Sequence, residues 1–269
     1  MKFDKFQSIV EYNRKNQEKI TAVVRDFYYK MGMNYEKELL NIMMVIRPVF
    51  RKRNYIVLEM PFKDNEIGAV CYKGDGCGYM ILNSAVAKVN ENFALAHEIF
   101  HVVYQEKMPG KKIELYMNEH YLEYEEEMNA NLFASILLMP APGFIEMFNK
   151  FKLEQNEDDS DITIFCKLMS YFEVPYMAVL IRAYELQLLS DGIVLESLLK
   201  ADAASVKQEF SRLWLNDMIL YPTRRNDYGR FEELIKKTGE EYIKEDLLDK
   251  NTVNKVLVNI NDVYEEIRG

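Results

Sequence analysis

The run His97-Glu-Ile-Phe-His101 lies inside an almost wholly apolar stretch, and it constrains the fold more than any other feature of the chain. Residues four apart stand on one face of an α-helix, a single turn apart, so both imidazoles can reach one zinc ion. The apolar neighbours predict a buried helix, from Asn83-Ser84 to about Gln105. Two histidines and a glutamate are unfavourable to bury unless something satisfies them, and a metal ion does so. We therefore predict a helix that carries two metal ligands into the core.

Glu98 lies three residues before His101 and projects toward the same patch. There it can accept a proton from a water molecule at the metal without binding the metal itself, as a general base must. The alternative is that these are ordinary histidines on an amphipathic helix. Because the chain contains only three histidines, a chance match to this spacing is rare. His97 and His101 are therefore the predicted zinc ligands, and Glu98 is the predicted catalytic residue.

A third ligand must come from further along the chain. The pattern that places a third histidine six residues after the second fails, because Lys107 occupies that position. His120 lies just before the next predicted helix, where a lone histidine is more often a surface residue. The acidic run Glu123–Asn131 is more informative, and within it Glu127 is the predicted ligand. Glu123, one turn away, and His120 stay open as alternatives.

The same predicted helix offers a partner for a ligand histidine. Glu127 shares a face with Asn131, and small residues beside them would let this helix approach the motif helix closely. Asn131 is then predicted to accept a hydrogen bond from the outer nitrogen of a ligand histidine. Glu125 and Glu126 are predicted to form a solvated acidic helix start, which the helix dipole favours.

Hydrophobic periodicity and turn residues predict an α+β fold. The spacing between residues 4 and 47 predicts two helices, with a break near Gly32 and an end or kink at Pro48. Three runs rich in β-formers predict a small three-stranded antiparallel sheet, with a hairpin turn at Asp75-Gly76. These runs cover 55–62, 67–72 and 78–82. Further helices are predicted over 121–139, stopped by Pro140 and Pro142, and, beyond an acidic linker at 155–161, over 162–173, 176–189, 203–220, 229–238 and 251–267.

Composition limits the partners and the compartment. A formal net charge of −9 and a pI near 5.1 disfavour phosphate contacts, so no direct nucleic-acid binding is expected. Three cysteines without a paired framework, Cys71, Cys77 and Cys166, indicate a reducing compartment, and the spacing of the first two fits no zinc knuckle. No signal-peptide pattern opens the chain and no stretch approaches about eighteen apolar residues, so we expect a cytoplasmic protein with no membrane partner.

Two motifs together resemble the ImmA/IrrE family of metallo-endopeptidases. The first, Ala96-His-Glu-Ile-Phe-His101, is similar to the family's Ala-His-Glu-Leu-x-His helix. The second joins Glu127-Met-Asn-Ala-Asn-Leu-Phe-Ala134 to Leu137-Leu-Met-Pro140, as in its Glu-x-x-Ala-Asn-x-Phe-Ala-x-x-Leu-Leu-Met-Pro helix. The resemblance covers roughly residues 50–190. It departs from the family at Phe100, where glycine is frequent, and at Pro175, where a turn serine is expected.

The resemblance implies zinc ligation by His97, His101 and Glu127, with Glu98 as the base. It also implies a zincin-type helical core packed with the small sheet, followed by an all-helical C-terminal region. Family members commonly cleave a helix-turn-helix repressor, often one of a phage or mobile element, so the implied substrate is a repressor or other transcription factor. The rival hypothesis is a regulatory binding module that keeps zinc structurally and does not cleave. Glu98 argues against it, because a structural site has no use for a base.

Four domains or modules are expected on this basis. They are N-terminal helices at 1–50, a zinc metallopeptidase core at 51–145, a helical pair on or beside the core at 146–190, and a helical C-terminal module at 191–269.

Peptide hydrolysis usually needs one more hydrogen-bond donor, for the oxyanion. The candidates for that donor are His120, Tyr121, Tyr124 and Tyr104.

Overall fold

A computed structural model describes residues 1–32, 42–73, 78–104, 112–116, 125–190 and 192–268. Its class is α+β, as the sequence predicts: a small sheet lies among helices, and the chain after it is helical. The N-terminal region forms helix α1 (Phe3–Lys30) and helix α2 (Ile42–Lys52). Pro48 lies inside α2, so the prediction that it could end this helix is wrong; a helix can continue past a proline when neighbouring packing holds it.

The sheet differs from the prediction in strand number and in direction. Its strands are β1 (Tyr55–Met60), β2 (Ile67–Lys73), β3 (Gly78–Asn83) and β4 (Lys112–Tyr116), in the order β1-β3-β2-β4. The predicted hairpin of β2 with β3 is antiparallel, but β1 runs parallel to β3. The three-stranded, wholly antiparallel sheet is therefore wrong, since the sheet is mixed and β4 adds a fourth strand beside β2.

Asn83 explains why β1 and β2 are not neighbours. Its side-chain oxygen accepts hydrogen bonds from the backbone N–H groups of Phe62, at 3.0 Å, and Ala85, at 2.9 Å. Its amide donates to the carbonyl oxygens of Asp64, at 3.0 Å, and Ile67, at 2.7 Å. One buried side chain thus holds the connection between β1 and β2 across the end of β3, so that β3 fills the position between them.

The remaining helices follow the predicted order, with two additions. Helix α3 (Lys88–Tyr104) carries the motif, and it begins later than the predicted start at Asn83-Ser84. The helix over Ala141–Leu153 was not predicted, because Pro140 and Pro142 indicated only a stop; proline also suits the first turn of a helix, where no N–H is needed. The helix over Ile193–Lys200 was not predicted either. The helices after α3 are α4 (Glu125–Leu138), α5 (Ala141–Leu153), α6 (Thr163–Phe172), α7 (Tyr176–Glu185), α8 (Ile193–Lys200), α9 (Ala203–Arg212), α10 (Tyr228–Lys244) and α11 (Lys250–Arg268).

The predicted helix over 203–220 ends early. It consists of α9 and a separate 3-10 turn, Asp217–Leu220. The side-chain oxygen of Asn216 caps this turn by accepting a hydrogen bond from the backbone N–H of Met218. Within the described ranges, no single helix is both long and apolar enough to cross a membrane, although two sharply bent helix pairs reach that composition when taken together.

The two faces of the sheet pack against different parts of the chain. Side chains alternate between the faces of a strand. Met80 and Leu82 of β3 therefore point into the main core, against α3, whereas Tyr79 and Ile81 point to the opposite face. There a second, smaller apolar cluster joins the sheet to α10 and α11. The motif helix lies on the first face, and the C-terminal helices lie on the second.

Candidate metal centre

His97 and His101 face each other on α3, and both are almost completely buried. The sheet lies against one side of this helix and α4 against another, which is why its apolar residues are buried nearly all round. The Nε2 atoms of the two imidazoles are 2.9 Å apart. The predicted one-turn spacing therefore brings both ring nitrogens to one point in the core.

Glu127 completes the group from the first turn of α4. Its carboxylate oxygens lie 3.1 Å from Nε2 of His97 and 3.5 Å from Nε2 of His101. The ligand atoms of all three residues lie within 4.8 Å of one another. In a tetrahedral zinc site with bonds of about 2.0–2.2 Å, neighbouring ligand atoms are about 3.4 Å apart. The three separations are close to that value, so the group fits a tetrahedral metal ion with little movement.

The charge of Glu127 suits a cation. Burial opposes its ionisation, but hydrogen bonds from His101 and His97, and the charges of both rings, hold the pKa of its carboxyl well below its usual range. Glu127 is therefore an anion at neutral pH, which is the form that binds a divalent metal.

Asn131 lies directly behind His97, as predicted. Its side-chain oxygen is 2.8 Å from Nδ1 of His97. Because that oxygen can only accept a hydrogen bond, Nδ1 carries a proton, which leaves Nε2 as the ring nitrogen that can bind a metal ion once it is deprotonated. The hydrogen bond thus fixes both the ring orientation and the tautomer that a metal ligand needs.

Glu126 makes a contact that its position in the sequence does not indicate. The sequence predicts a solvated helix start there, and the side chain is indeed 54% exposed. One carboxylate oxygen nevertheless lies 3.4 Å from Nδ1 of His101. Each histidine therefore has an acceptor near its outer nitrogen. The sequence places Glu126 next to Glu127, but this position does not predict a contact with His101, because adjacent residues of a helix point in different directions.

Glu98 is fully buried on α3, between the two histidines in sequence. It acts on Tyr55 at the start of β1: burial raises the pKa of Tyr55, and the nearby Cys71 and the carboxylate of Glu98 raise it further. The carboxylate of Glu98 is therefore buried and close enough to the start of β1 to interact with Tyr55 electrostatically.

Helix α1 supports both ligand-bearing helices, a role that no local sequence pattern indicates. The hydroxyl of Tyr12 lies 3.1 Å from the carbonyl oxygen of Glu125 and 3.0 Å from the side-chain oxygen of Asn129, in the first turns of α4. At the end of α3, the hydroxyl of Tyr104 lies 3.1 Å from the carbonyl oxygen of Val23 and 3.0 Å from Asp26. Tyr104 was a candidate oxyanion donor, but its hydroxyl is directed at α1.

Several predicted candidates fall outside the described residues. These are the alternative ligands Glu123 and His120, the candidate donors Tyr121 and Tyr124, and the thiol Cys77. Cys71 and Cys166 are buried thiols, and burial raises the pKa of Cys166 to about 12.

The chain matches one family of known proteins. Residues 51–184 match the Peptidase_M78 family model, described as an IrrE N-terminal-like domain. No curated protein matches the chain at a significant level. The matched range contains the sheet, the motif helix and α4, and therefore every residue of the candidate metal group, which could hold a metal ion of the kind that a metallopeptidase uses. Residues 51–184 form an IrrE N-terminal-like domain, and this chain belongs through it to the Peptidase_M78 family.

Proposed function

We propose that the chain is a zinc-dependent endopeptidase of the cytoplasm that cleaves a regulatory protein, such as a helix-turn-helix repressor. The observation that carries this proposal is the convergence of His97, His101 and Glu127 on one point, with Glu98 on the same helix. Three ligands from the described part of the chain leave a fourth tetrahedral position for water or substrate, which is typical of catalytic rather than structural zinc sites.

The donor set favours zinc over the other common divalent ions. Two imidazoles and one carboxylate match the ligands that zinc takes in metallopeptidases, whereas magnesium and calcium prefer oxygen ligands alone. A bound zinc ion would supply Lewis acidity, which lowers the pKa of water and polarises a peptide carbonyl. The remaining steps belong to side chains of the protein.

Glu98 is proposed to handle the proton. Its carboxylate would accept a proton from the attacking water and then donate it to the nitrogen of the leaving amine. His97, held by Asn131, and His101 would keep the metal in place while the proton moves.

A protein substrate is proposed from the family resemblance alone. Helix-turn-helix repressors contact the phosphates of DNA through basic side chains, so the acidic chain, with a formal net charge of −9, would attract the basic surface of such a partner without binding nucleic acid itself.

The sharpest test compares two buried glutamates of the same helix. Glu98→Gln is expected to reduce cleavage of a candidate repressor by a factor of at least about 100, because general acid–base catalysis contributes that much. Zinc content, measured on the purified protein, should stay at one ion per chain. Glu91→Gln is the matched control, since Glu91 is also fully buried on α3 but contacts Lys88 and not the histidines.

Full activity of the Glu98→Gln variant would exclude the base assignment. A zinc-loaded wild-type protein that binds the repressor but yields no discrete fragment would instead support the alternative, a non-cleaving regulatory module. Zinc content that survives Glu127→Ala would remove Glu127 from the ligand set and make one of the alternative ligands, Glu123 or His120, the better assignment.

A further inference from the structure

A cavity of about 510 Å³ lies between the outer face of the sheet and the C-terminal helices. The sheet contributes Leu58, Val70 and Ile81, and α10 contributes Phe231. The opposite wall is helix α11. Small-molecule sites in proteins have volumes of about 300–1,000 Å³, so this cavity is large enough for a ligand.

Helix α11 presents one apolar face to this space. Val256, Ile260, Val263 and Ile267 follow each other at intervals of four, three and four residues, which places them on one side of the helix. Val256 and Val263 are 41% and 42% exposed, although they face the sheet. Exposed valines inside a concave apolar surface indicate that α11 does not pack fully against the sheet along its middle.

The C-terminal end of α11 is anchored, so the cavity belongs to the fold. The carbonyl oxygen of Ile267 accepts a hydrogen bond of 2.9 Å from the backbone N–H of Lys63. The ring of Tyr264 stacks on that of Tyr228, with the centroids 3.8 Å apart, and its hydroxyl accepts a hydrogen bond of 2.8 Å from Asn226. These contacts close one end of the space and fix the helix against the sheet there.

The chemistry of the walls selects the occupant. Among the residues that the structure describes, no lysine or arginine lines the cavity, and Glu266 is the charged residue in its lining. An anionic ligand would therefore meet a carboxylate without a cation to pair with. Three tyrosine rings, of Tyr79, Tyr228 and Tyr264, offer flat apolar surfaces. We propose that the cavity binds a small, electrically neutral, apolar molecule that contains a ring or a short hydrocarbon chain.

This site is separate from the metal centre. The residues of β3 that line it, Tyr79 and Ile81, point away from the core, whereas Met80 and Leu82 of the same strand point toward α3. The occupant is thus not the peptide substrate, and the inference does not rest on the proposed peptidase activity.

The test measures binding of the neutral apolar dye N-phenylnaphthylamine to the full chain by fluorescence titration. Wild type is expected to bind the dye saturably. Val263→Trp places a large side chain in the cavity and is expected to raise the Kd by a factor of about ten or more. Val258→Trp is the matched control, because Val258 is an exposed valine of the same helix, at 58%, that does not line the cavity; its Kd should stay within about twofold of wild type.

Val256→Trp serves as a second cavity variant, and a cooperative thermal transition verifies that each variant is folded. Absence of saturable binding to wild type, or equal binding by the cavity variants and the control, would overturn the proposal. One further result would overturn the proposal: wild type self-associates, and Val263→Trp abolishes the self-association without changing the Kd of the dye. The cavity would then be covered by a second copy of the chain.

Discussion

Acceptors behind the two histidines decide how well α3 presents its ligand atoms. Asn131 lies 2.8 Å from the outer nitrogen of His97, and Glu126 lies 3.4 Å from that of His101. The first distance is that of a good hydrogen bond, and the second is at the long end of the range. We therefore expect Asn131 to contribute more to metal binding than Glu126.

Replacing Asn131 by alanine is expected to weaken metal binding by a factor of about 10–100, because His97 loses the acceptor that fixes its ring and tautomer. Competition for zinc with a chromophoric chelator measures this affinity directly, without an assay of activity. Ser135→Ala, one turn further along α4, is the control and should leave the affinity unchanged. An Asn131→Ala variant with wild-type affinity would show that the hydrogen bond has no role in holding the metal ligand.

At the scale of elements, α9 is tied to α6 by a charged cluster. Arg212 of α9 lies 2.7 Å from Asp159, before α6, and donates at 3.0 Å to Glu209. Hydrogen bonds from Arg212, and then from Thr163 of α6, hold the pKa of Glu209 below its usual range, although burial opposes them. The domain over residues 51–184 is thus joined to α9 by hydrogen bonds that depend on ionised carboxylates.

This cluster predicts a pH-dependent contribution to stability. A carboxyl whose folded pKa is lowered stabilises the fold above its unfolded pKa, near 4.5 for Glu209, and loses that contribution as the pH falls through the folded value. Arg212→Met should therefore lower the urea midpoint of unfolding near neutral pH. The difference in urea midpoint between this variant and wild type should become smaller as the pH falls below about 4.5. Arg224→Met is an exposed control. A difference in urea midpoint that stays constant from neutral pH to below about 4.5 would contradict the role of ionised Glu209 in this cluster.

At the scale of the whole molecule, the segment 221–227 connects α10 and α11 to the domain that contains the candidate metal centre, through contacts made by its own residues. Glu59, buried at the end of β1, pairs with Arg47 of α2 and, at 3.1 Å, with Arg225. The backbone N–H of Asp227 donates to the carbonyl oxygen of Glu59 at 2.8 Å. The carbonyl oxygen of Tyr221 accepts at 3.2 Å from Lys88, the first residue of the motif helix.

Glu59→Gln removes the charge that both arginines contact. It is expected to reduce the free energy of unfolding by about 1–3 kcal/mol, as does the loss of a buried charged hydrogen-bond partner. Hydrogen exchange should also become faster in α10 and α11, which this contact holds to the sheet, and should change less in α4 to α7. Glu240→Gln on the exposed side of α10 is the control, and equal exchange in both variants would exclude the fastening role of Glu59.

What could be predicted from sequence was mostly local. The histidine spacing, the buried motif helix and the shared face of Glu127 and Asn131 follow from helical periodicity, because residues three or four apart share a face whatever surrounds them. Periodicity left Glu123 open as a ligand, and the family resemblance favoured Glu127. The hairpin of β2 and β3 follows from its turn residues in the same way. The order of the other helices followed from periodicity, whereas their ends, α5 and α8 did not; α5 was missed because proline can both stop and begin a helix.

The tertiary structure alone decided how distant segments meet. The parallel pairing of β1 with β3 depends on the route of the connection that Asn83 holds, and no periodicity within the strands records that route. The contact of Tyr12 with α4 joins residues more than one hundred positions apart. The cavity under α11 exists because the helix is anchored at its C-terminal end and stands off the sheet along its middle. Sequence thus determined which side chains share a face, because helix and strand geometry is local, and packing determined which faces meet.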